Sequence, residues 1–581
     1  MERRLRSVVD VVRVPAEGDP GRAIVAVPAA RPAETLRCDV LVVGGGTGGV
    51  AAALAATRGG ATVCLTEATA WLGGQFTSQG VSALDEHELI ESAGGTASYY
   101  ALRRALRDHY RPRAGAAGRD PHFNPGRCWV TRVAFEPRVA QRIVTGMLEP
   151  AVAEARLRVL RRTVAVGARA EEGQVSSVTV LDLDARELRE IEPRLVIDAT
   201  ELGDLLPLTG IDYRVGAETV AQTGEAHAQP TEPKPRCVQS FTYPFAARRM
   251  PAGENHAIAE PSKYAHYRDA QPYSLTIEVH GGEIYGETSG RLAYDLYDTR
   301  PGTKGGLWTY RRLLCAADFA DGVPHDVSMF NWPGNDYRDR SLIDRPPEEV
   351  VVALQDAKRA SLGFLRWLQT EAPASGRRGA PEIALAPEVM GTDDGLAMFP
   401  YIRESRRIVA RRTIVEQDVS AAFQPGPRAA RFDDGVGIGW YPIDIHRAGP
   451  EDVGVSCRTR PFQIPLGALL PAAGSNLIAG GKNLGATHIT NGCYRLHPVE
   501  WNIGEAAGAL AAFCVRERVM PSAVAQTYLR EFQDTLLAQG VPIAWVADLR
   551  VDDPDFAAIQ RRVLDGEGAD RLWWRSPPRS T

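Results

Sequence analysis

Several things are missing from this sequence, and each absence removes a class of function. Nowhere in the 581 residues do about 18 apolar residues run together uncharged, so no membrane-spanning helix is expected. The N-terminal stretch MERRLRSVVDVVRV carries Arg3-Arg4, but Asp10 and Arg13 interrupt the apolar run of about 7–15 residues that an export signal needs. The eight cysteines, at positions 38, 64, 128, 237, 315, 457, 493 and 514, form no C-x-x-C pair and no cluster along the chain. A redox disulfide, a zinc site and an iron–sulfur cluster are therefore not expected, no metal is assigned, and the thiols read as reduced in a cytoplasmic protein. Positive charge is not in excess: 67 basic and 72 acidic side chains leave a net charge of -5, too little of a positive field to recruit nucleic acid or anionic lipid. Lysine is scarce, at positions 234, 263, 304, 358 and 482 only, which codon usage in a GC-rich genome explains. Internal repeats and low-complexity tracts are also lacking.

What is present is ordinary globular composition, 44% hydrophobic, 24% charged and 7% aromatic, with enough apolar surface for a sizeable core. At roughly 150 residues per domain the chain amounts to about four domain equivalents. Residues 1–35 read as a polar, Arg/Pro-rich extension with a short strand at 24–27. From residue 36, CDVLVVGGG predicts a buried strand, GGVAAALAATRGG a small-residue helix, and ATVCLTE a second strand, which together make a βαβ unit. A further α/β stretch, with an amphipathic helix from 136 and strands up to PRLVIDAT, completes a first segment, 36–215. Residues 216–464 are richer in Pro, Tyr, Trp and Asp, with a helical run at 347–370, and read as a separate lobe. The α/β texture returns over 465–520 with the strand NLIAGG and the helix PVEWNIGEAAGALAAFCVRE, and 521–581 reads as a helical tail.

Gly44-x-Gly46-x-x-Gly49 lies where the first strand meets the helix, and Glu67 ends the next strand eighteen residues after Gly49. The first glycine permits a tight turn, the second admits a pyrophosphate to the backbone, and the third lets helix and sheet approach. The helix N-terminus, at Thr47 and Gly48, favours the anion, and Glu67 can accept both ribose hydroxyls. This pattern alone does not separate FAD from NAD. Three further glycine-rich segments suit a long, extended cofactor: Leu72-Gly73-Gly74-Gln75, Asp198-Ala199-Thr200 with Gly203-Asp204, and Gly480-Gly481-Lys482-Asn483.

The segments GGGTGG with its following TE, LGGQ, IDATELGDL and AGGKNLGATH resemble those of glutathione-reductase-type FAD-binding oxidoreductases. SQGVSALDEH, NWPGNDY, YIRESRRI and GIGWYPIDIH further resemble a broad bacterial family of FAD-dependent oxidoreductases, from about residue 36 to residue 515. The resemblance implies an α/β fold: a Rossmann-like, glutathione-reductase-type FAD-binding domain with an inserted α+β substrate or cap domain. It also implies non-covalent FAD held by Gly44, Gly46, Gly49, Glu67, Gly74, Gln75, Asp198 and Gly481. One departure is Glu201, where relatives commonly place glycine. In such folds the flavin ring lies between the two lobes. Free N–H groups at the helix start after Pro498, around Asn502 and Ile503, would then favour negative charge at the flavin pyrimidine edge.

Candidate chemistry follows from residue type. His488, beside a loop that also carries His497, Arg495 and Glu500, is a candidate base for the proton that accompanies two-electron oxidation. Arg403 and Arg407, read as sharing one face of a helix with Glu404 as ion-pair partner, suggest a carboxylate clamp by Arg403 with help from Arg495. In the strand-like WYPIDIH, Asp444 and His446 alternate with Ile443 and Ile445, which points His446 towards the ring. Asp85 and His87 form another acid/base pair, and Trp332 and Tyr337 suggest an aromatic wall. Cys128 is a weak candidate for covalent flavin attachment. The expectation is an FAD-dependent oxidase or dehydrogenase acting on a small or medium polar organic molecule, with O2 or another diffusible carrier taking the electrons and a homodimer as one assembly state. The alternatives are an NAD(P)H-dependent flavin monooxygenase and a non-redox flavoprotein.

Overall fold

The computed structural model describes residues 2–278, 290–319, 322–449, 452 and 454–566. Its central sheet begins where the apolar run begins. Strand β1 (Glu34–Val43) buries Val40 to Val43, Gly44 turns the chain with φ +98°, and helix α1 (Thr47–Arg58) leads to β2 (Val63–Glu67). Four further strands join the same sheet: β3 (Leu157–Arg161), β4 (Thr163–Glu171), β5 (Gln174–Asp182) and β6 (Leu188–Asp198). The order is β4-β5-β6-β1-β2-β3, with β6, β1, β2 and β3 parallel and β5 antiparallel to both of its neighbours. The parallel part is covered on both faces, as unbroken apolar strands require.

β6 is shared. Its first half pairs with β5, and its second half, Val196 to Asp198, pairs with β7 (Leu477–Ala479), a strand that returns after nearly 280 residues of intervening chain. Helix α2 (His497–Glu517) then lies along α1. The contact depends on small residues: a Cβ at Gly504 would stand 2.0 Å from the Gly48 carbonyl, and one at Gly508 would stand 2.1 Å from that of Ala52. The late segment thus closes directly over the glycine turn.

A second sheet has the strands Arg312–Leu314, Val327–Phe330, Phe245–Arg249 and Ile383–Leu385, adjacent in that order; Leu313, Val327 and Met329 pack into the first core, while Phe245, Ala247, Phe330 and Ile383 build a second core with the long helix Pro347–Thr370. Trp332 and Tyr337 belong here. The Trp332 indole is buried, donates to the Ser274 carbonyl at 2.9 Å and meets Tyr294 and Tyr310 edge-on, so it fills the core and forms no wall facing a ligand.

At the N-terminus, Glu2–Arg4 adds to the sheet edge on β4, and Ser7–Val9 pairs with Ile24–Ala26. After α2 come three helices, Pro521–Gln526, Leu529–Ala538 and Phe556–Leu564; the expected tail beyond 566 lies outside the described residues. Among the described residues no helix is long and apolar enough to cross a membrane.

Candidate active site

The glycines of the turn are fixed by close approach. A Cβ at Gly44 would stand 2.4 Å from the Ala199 carbonyl at the end of β6, one at Gly48 2.0 Å from that of Gly480 at the end of β7, and one at Gly49 1.8 Å from that of Gly44. Three strand ends therefore meet at the start of α1, the anion-favouring end of a twelve-residue helix. Thr47 Oγ1 ties this turn to the next by donating to the Gly73 carbonyl at 3.0 Å. Gly73, Gly74 and Gly203 all take positive φ, which glycine adopts without strain.

Glu67 accepts from the Gly45 and Thr69 amides at 3.0 and 2.8 Å, and burial outweighs these bonds to lift its carboxyl to about 7. Asp198 is held by Thr200, through the amide at 3.0 Å and the hydroxyl at 2.7 Å, and burial lifts it likewise to about 7. Thr200 Oγ1 in turn accepts from the Asp204 amide at 2.7 Å. Asn483 donates to the Asp198 carbonyl at 2.9 Å, Asn502 to that of Ile438 at 3.2 Å, and Gln75 to that of Arg495 at 2.9 Å. The amide oxygen of each of these three side chains is buried without a hydrogen-bond partner among the described residues. Ile503 is fully buried beside Asn502, and Gly481 faces only Glu500, 3.4 Å from where a Cβ would stand.

An acid occupies the anion end of α1. Glu201 Oε1 would lie 2.5 Å from a Cβ at Gly46 and 2.9 Å from one at Gly74. Its other oxygen is paired with the buried Lys482, which also meets Glu500 at 3.2 Å. A carboxylate at this point, with buried acceptors lacking partners around it, is what a site for a cofactor with an anionic middle and polar ends presents. The residues fit FAD, provided the Glu201 side chain gives way to the pyrophosphate.

A cavity of about 440 Å³ lies beside this cradle. Arg495 joins the two, since its guanidinium lines the cavity while its carbonyl accepts from Gln75. Among the described residues six arginines line the cavity against four carboxylates, so the described lining carries a positive surplus. Arg403 meets Asp336 at 3.0 Å and donates to the Ser240 carbonyl, Thr242 Oγ1 and Asn331 Oδ1 at 2.8, 2.9 and 3.1 Å. Asp336 Oδ2 lies 2.6 Å from His446 Nδ1, and His446 Nε2 lies 3.5 Å from Asp444 Oδ2. Arg495 reaches Asp444 at 3.1 Å and the Tyr401 hydroxyl at 3.0 Å, and Arg311 pairs with Asp85 at 2.7 Å. Burial works against charge on both Asp336 and Asp444. The opposing cations prevail, Arg403 then His446 on Asp336 and His446 then Arg495 on Asp444, and hold both carboxyls well below the usual range. The Nε atoms of Arg311, Arg403 and Arg495 are buried without a partner among the described residues.

The structure thus brings Arg403, Arg495 and His446 together at one cavity, along with Asp85. His488 does not reach it. Its Nδ1 lies 2.9 Å from Glu404 and its amide donates to Glu218 at 2.9 Å. Burial pushes this imidazole down, but the Glu404 carboxylate overrides that and lifts it to about 10, a stable cation and not a proton acceptor near neutrality. The segment YIRESRRI is not the expected helix. It runs extended, and Arg407–Ile408 pairs with Tyr213–Arg214, because each arginine finds acceptors on other segments, Asp336 for Arg403, Asp344 and Asp204 for Arg406 and Glu218 for Arg407, with Glu404 of the same segment also meeting Arg407. His87 is enclosed by Trp440 and Trp545, and burial lowers it to about 3, so it is no acid/base partner for Asp85. Cys128 is buried beside Asn124. Sequence reasoning missed Arg311, which sits in an ordinary-looking YRRLL, and it passed over Asp336 in favour of the aromatics that flank it in NWPGNDY.

The model of a family described as FAD dependent oxidoreductase matches residues 39–536. The chain belongs to this family. As an FAD dependent oxidoreductase it is a redox enzyme and its cofactor is FAD. No curated protein matches. Among solved structures it is similar to L-proline dehydrogenase from P. horikoshii, at 17% identity over 32% of this chain and 24% of that one, TM-score 0.17. It is similar also to adenylylsulfate reductase from Archaeoglobus fulgidus, at 18% over 29% and 31%, TM-score 0.21. A mutant FrdA of E. coli quinol fumarate reductase matches at 11% over 87% and 75%, TM-score 0.29. The chain thus spans about a quarter of the first of these and a third of the second. Likenesses at this level say nothing about which reaction the oxidoreductase performs.

Proposed function

We propose that this FAD dependent oxidoreductase transfers hydride between the flavin and a small polar substrate that carries a carboxylate or comparable anionic group, bound in the 440 Å³ cavity. Bound FAD supplies the two-electron chemistry. The observation that carries the reading is the set of three arginines, Arg311, Arg403 and Arg495, each at most 5% exposed and each with an Nε lacking a partner among the described residues. Guanidinium groups buried this way favour a planar anion that two parallel N–H bonds can grip.

In this reading Arg403 and Arg495 bind and orient the anionic group, and Asp336 and Asp444 hold them in place. His446, set between those two carboxylates and half-buried in the cavity wall, takes or gives the substrate proton at Nε2, while Asp336 fixes the ring through Nδ1. The fold assigned is the glutathione-reductase-type arrangement, with residues 216–464 as the inserted cap over the cavity and O2 or another diffusible carrier as electron acceptor.

The test is an anaerobic absorbance titration of the purified holoprotein, first with NADPH and then with a panel of small hydroxy-, amino- and unsaturated acids. The reading expects no bleaching by NADPH and bleaching by at least one acid. Bleaching by NADPH with none by the acids would overturn it in favour of a monooxygenase.

A further inference from the structure

On the far side of the Ile443–Ile445 ribbon lies a group of side chains that the redox reading does not use. His227, Glu416 and Cys457 come from three segments far apart in sequence, and one donor atom from each lies within 4.8 Å of the other two. His227 Nδ1 is 2.6 Å from Glu416 Oε1, and Cys457 Sγ is 3.8 and 3.7 Å from the two ring nitrogens. We propose that these three side chains bind one divalent cation of the zinc class, with water in the fourth position.

The donor set selects that class. One thiolate sulfur, one imidazole nitrogen and one carboxylate oxygen suit a borderline-soft ion, whereas calcium and magnesium favour oxygen throughout. Tetrahedral zinc with bonds of roughly 2.0–2.3 Å separates its nitrogen and sulfur ligands by roughly 3.6 Å and its nitrogen and oxygen ligands by roughly 3.4 Å. The sulfur is therefore already at ligand spacing, and the carboxylate has only to withdraw from its present hydrogen bond. Binding releases to solvent the Cys457 proton and the proton shared by His227 and Glu416.

Two further observations favour a cation here. Glu416 is 1% exposed, and among the described residues its ion-pair partner is His227, with no lysine or arginine on it. Beside it is a second carboxylate without a cation: Glu225, fully buried, accepts from the Glu416 amide at 2.8 Å and from Thr487 at 2.6 Å. Its remaining oxygen is buried with no hydrogen-bond partner among the described residues. Glu416 is met by His227, but Glu225 has no lysine, arginine or histidine on it among the described residues, and a buried carboxylate of that kind is costly unless protonated or near a positive ion. The His227 side chain, 30% exposed, leaves an entry path.

The site has a structural consequence for the cavity. Cys457 is paired with Ile443 across the ribbon, and the residues that follow Ile443 are Asp444 and, after Ile445, His446. A metal on Cys457 would brace from behind the strand that presents both to the substrate.

The experiment is a titration of the holoprotein with Zn2+ against a chromophoric chelator, and with Co2+, whose tetrahedral visible bands lie at longer wavelength than flavin absorption. One equivalent of metal is expected. Cys457→Ser and Glu416→Gln, with flavin content unchanged, should each weaken it by about 100-fold. Absence of one-equivalent binding, or equal affinity in both variants, would overturn the proposal. Should Cys457→Ser fail to fold, alkylation of the wild type decides: Zn2+ must protect Cys457 specifically, and an unprotected Cys457 refutes the site. Neither result depends on the identity of the redox substrate.

Discussion

Replacing Glu201 by glutamine should tighten FAD binding while loosening the cofactor-free protein. The Glu201 carboxylate stands at the start of α1, within 2.5 Å of where a Cβ of Gly46 would be, and Lys482 holds its other oxygen. A carboxylate at a helix N-terminus gains about 0.3–2 kcal/mol, and the pyrophosphate must first displace it. Glutamine keeps the size but gives up less on leaving, so the dissociation constant for FAD should fall by about 2- to 30-fold. Lys482 remains paired with Glu500 in the variant, which preserves the fold, but the apoprotein loses the helix-end contact and should melt at a lower temperature. The assay is quenching of flavin fluorescence on titration into apoprotein, with apoprotein melting recorded alongside. Equal or weaker FAD binding by Glu201→Gln would refute the reasoning and would mean that the carboxylate helps to hold the cofactor.

Arg403→Ala should cost about 3–5 kcal/mol of stability, because Asp336 is left buried with His446 as its main cationic contact, whereas Arg403→Lys should fold and lose about 10- to 100-fold in affinity for a carboxylate ligand. Denaturant unfolding and ligand titration separate the two effects. Once a substrate is in hand, His446→Gln should lower kcat by about 100-fold or more and flatten its pH profile, while a change confined to KM would remove His446 from proton transfer. His488 is lifted in the folded state to about 10, so its contribution to stability is complete below the unfolded value near 6.5 and is lost as pH rises towards 10. The melting temperature should accordingly fall between pH 7 and 10, and more shallowly in His488→Gln; an unchanged slope would contradict the His488–Glu404 pairing.

The glycine turn at the start of α1 was legible in the sequence because its logic is local. Gly44, Gly48 and Gly49 are dictated by contacts within one turn and the two strand ends it meets, and the apolar run before them can only be a buried strand. The cavity was legible only in pieces. Arg403, His446, Arg495 and Asp85 were recognisable as chemistry, though Asp85 was matched with the wrong partner, but Arg311 and Asp336, which hold or accompany them, come from segments brought together by tertiary folding alone. The R-x-x-x-R spacing of 403 and 407 matched a helical face, yet the segment is extended, because buried arginines follow their acceptors and not a helical period. His488 misled for a related reason: its place in a glycine-rich loop suggested the flavin, and only the fold places Glu404 against it. The His227, Glu416 and Cys457 group has no sequence signature at all, since 189 residues separate its first two members.

An arginine-lined cavity that binds an anionic substrate beside the flavin should report its ligand in the flavin spectrum. The most direct test is an anaerobic titration of the oxidised holoprotein with small mono- and dicarboxylates, followed by flavin absorbance, in the wild type and in Arg403→Lys and Arg495→Lys. A saturable spectral shift is expected in the wild type, weakening by about 10-fold or more in both variants. No shift with any carboxylate, or a shift of equal affinity in all three proteins, would contradict it.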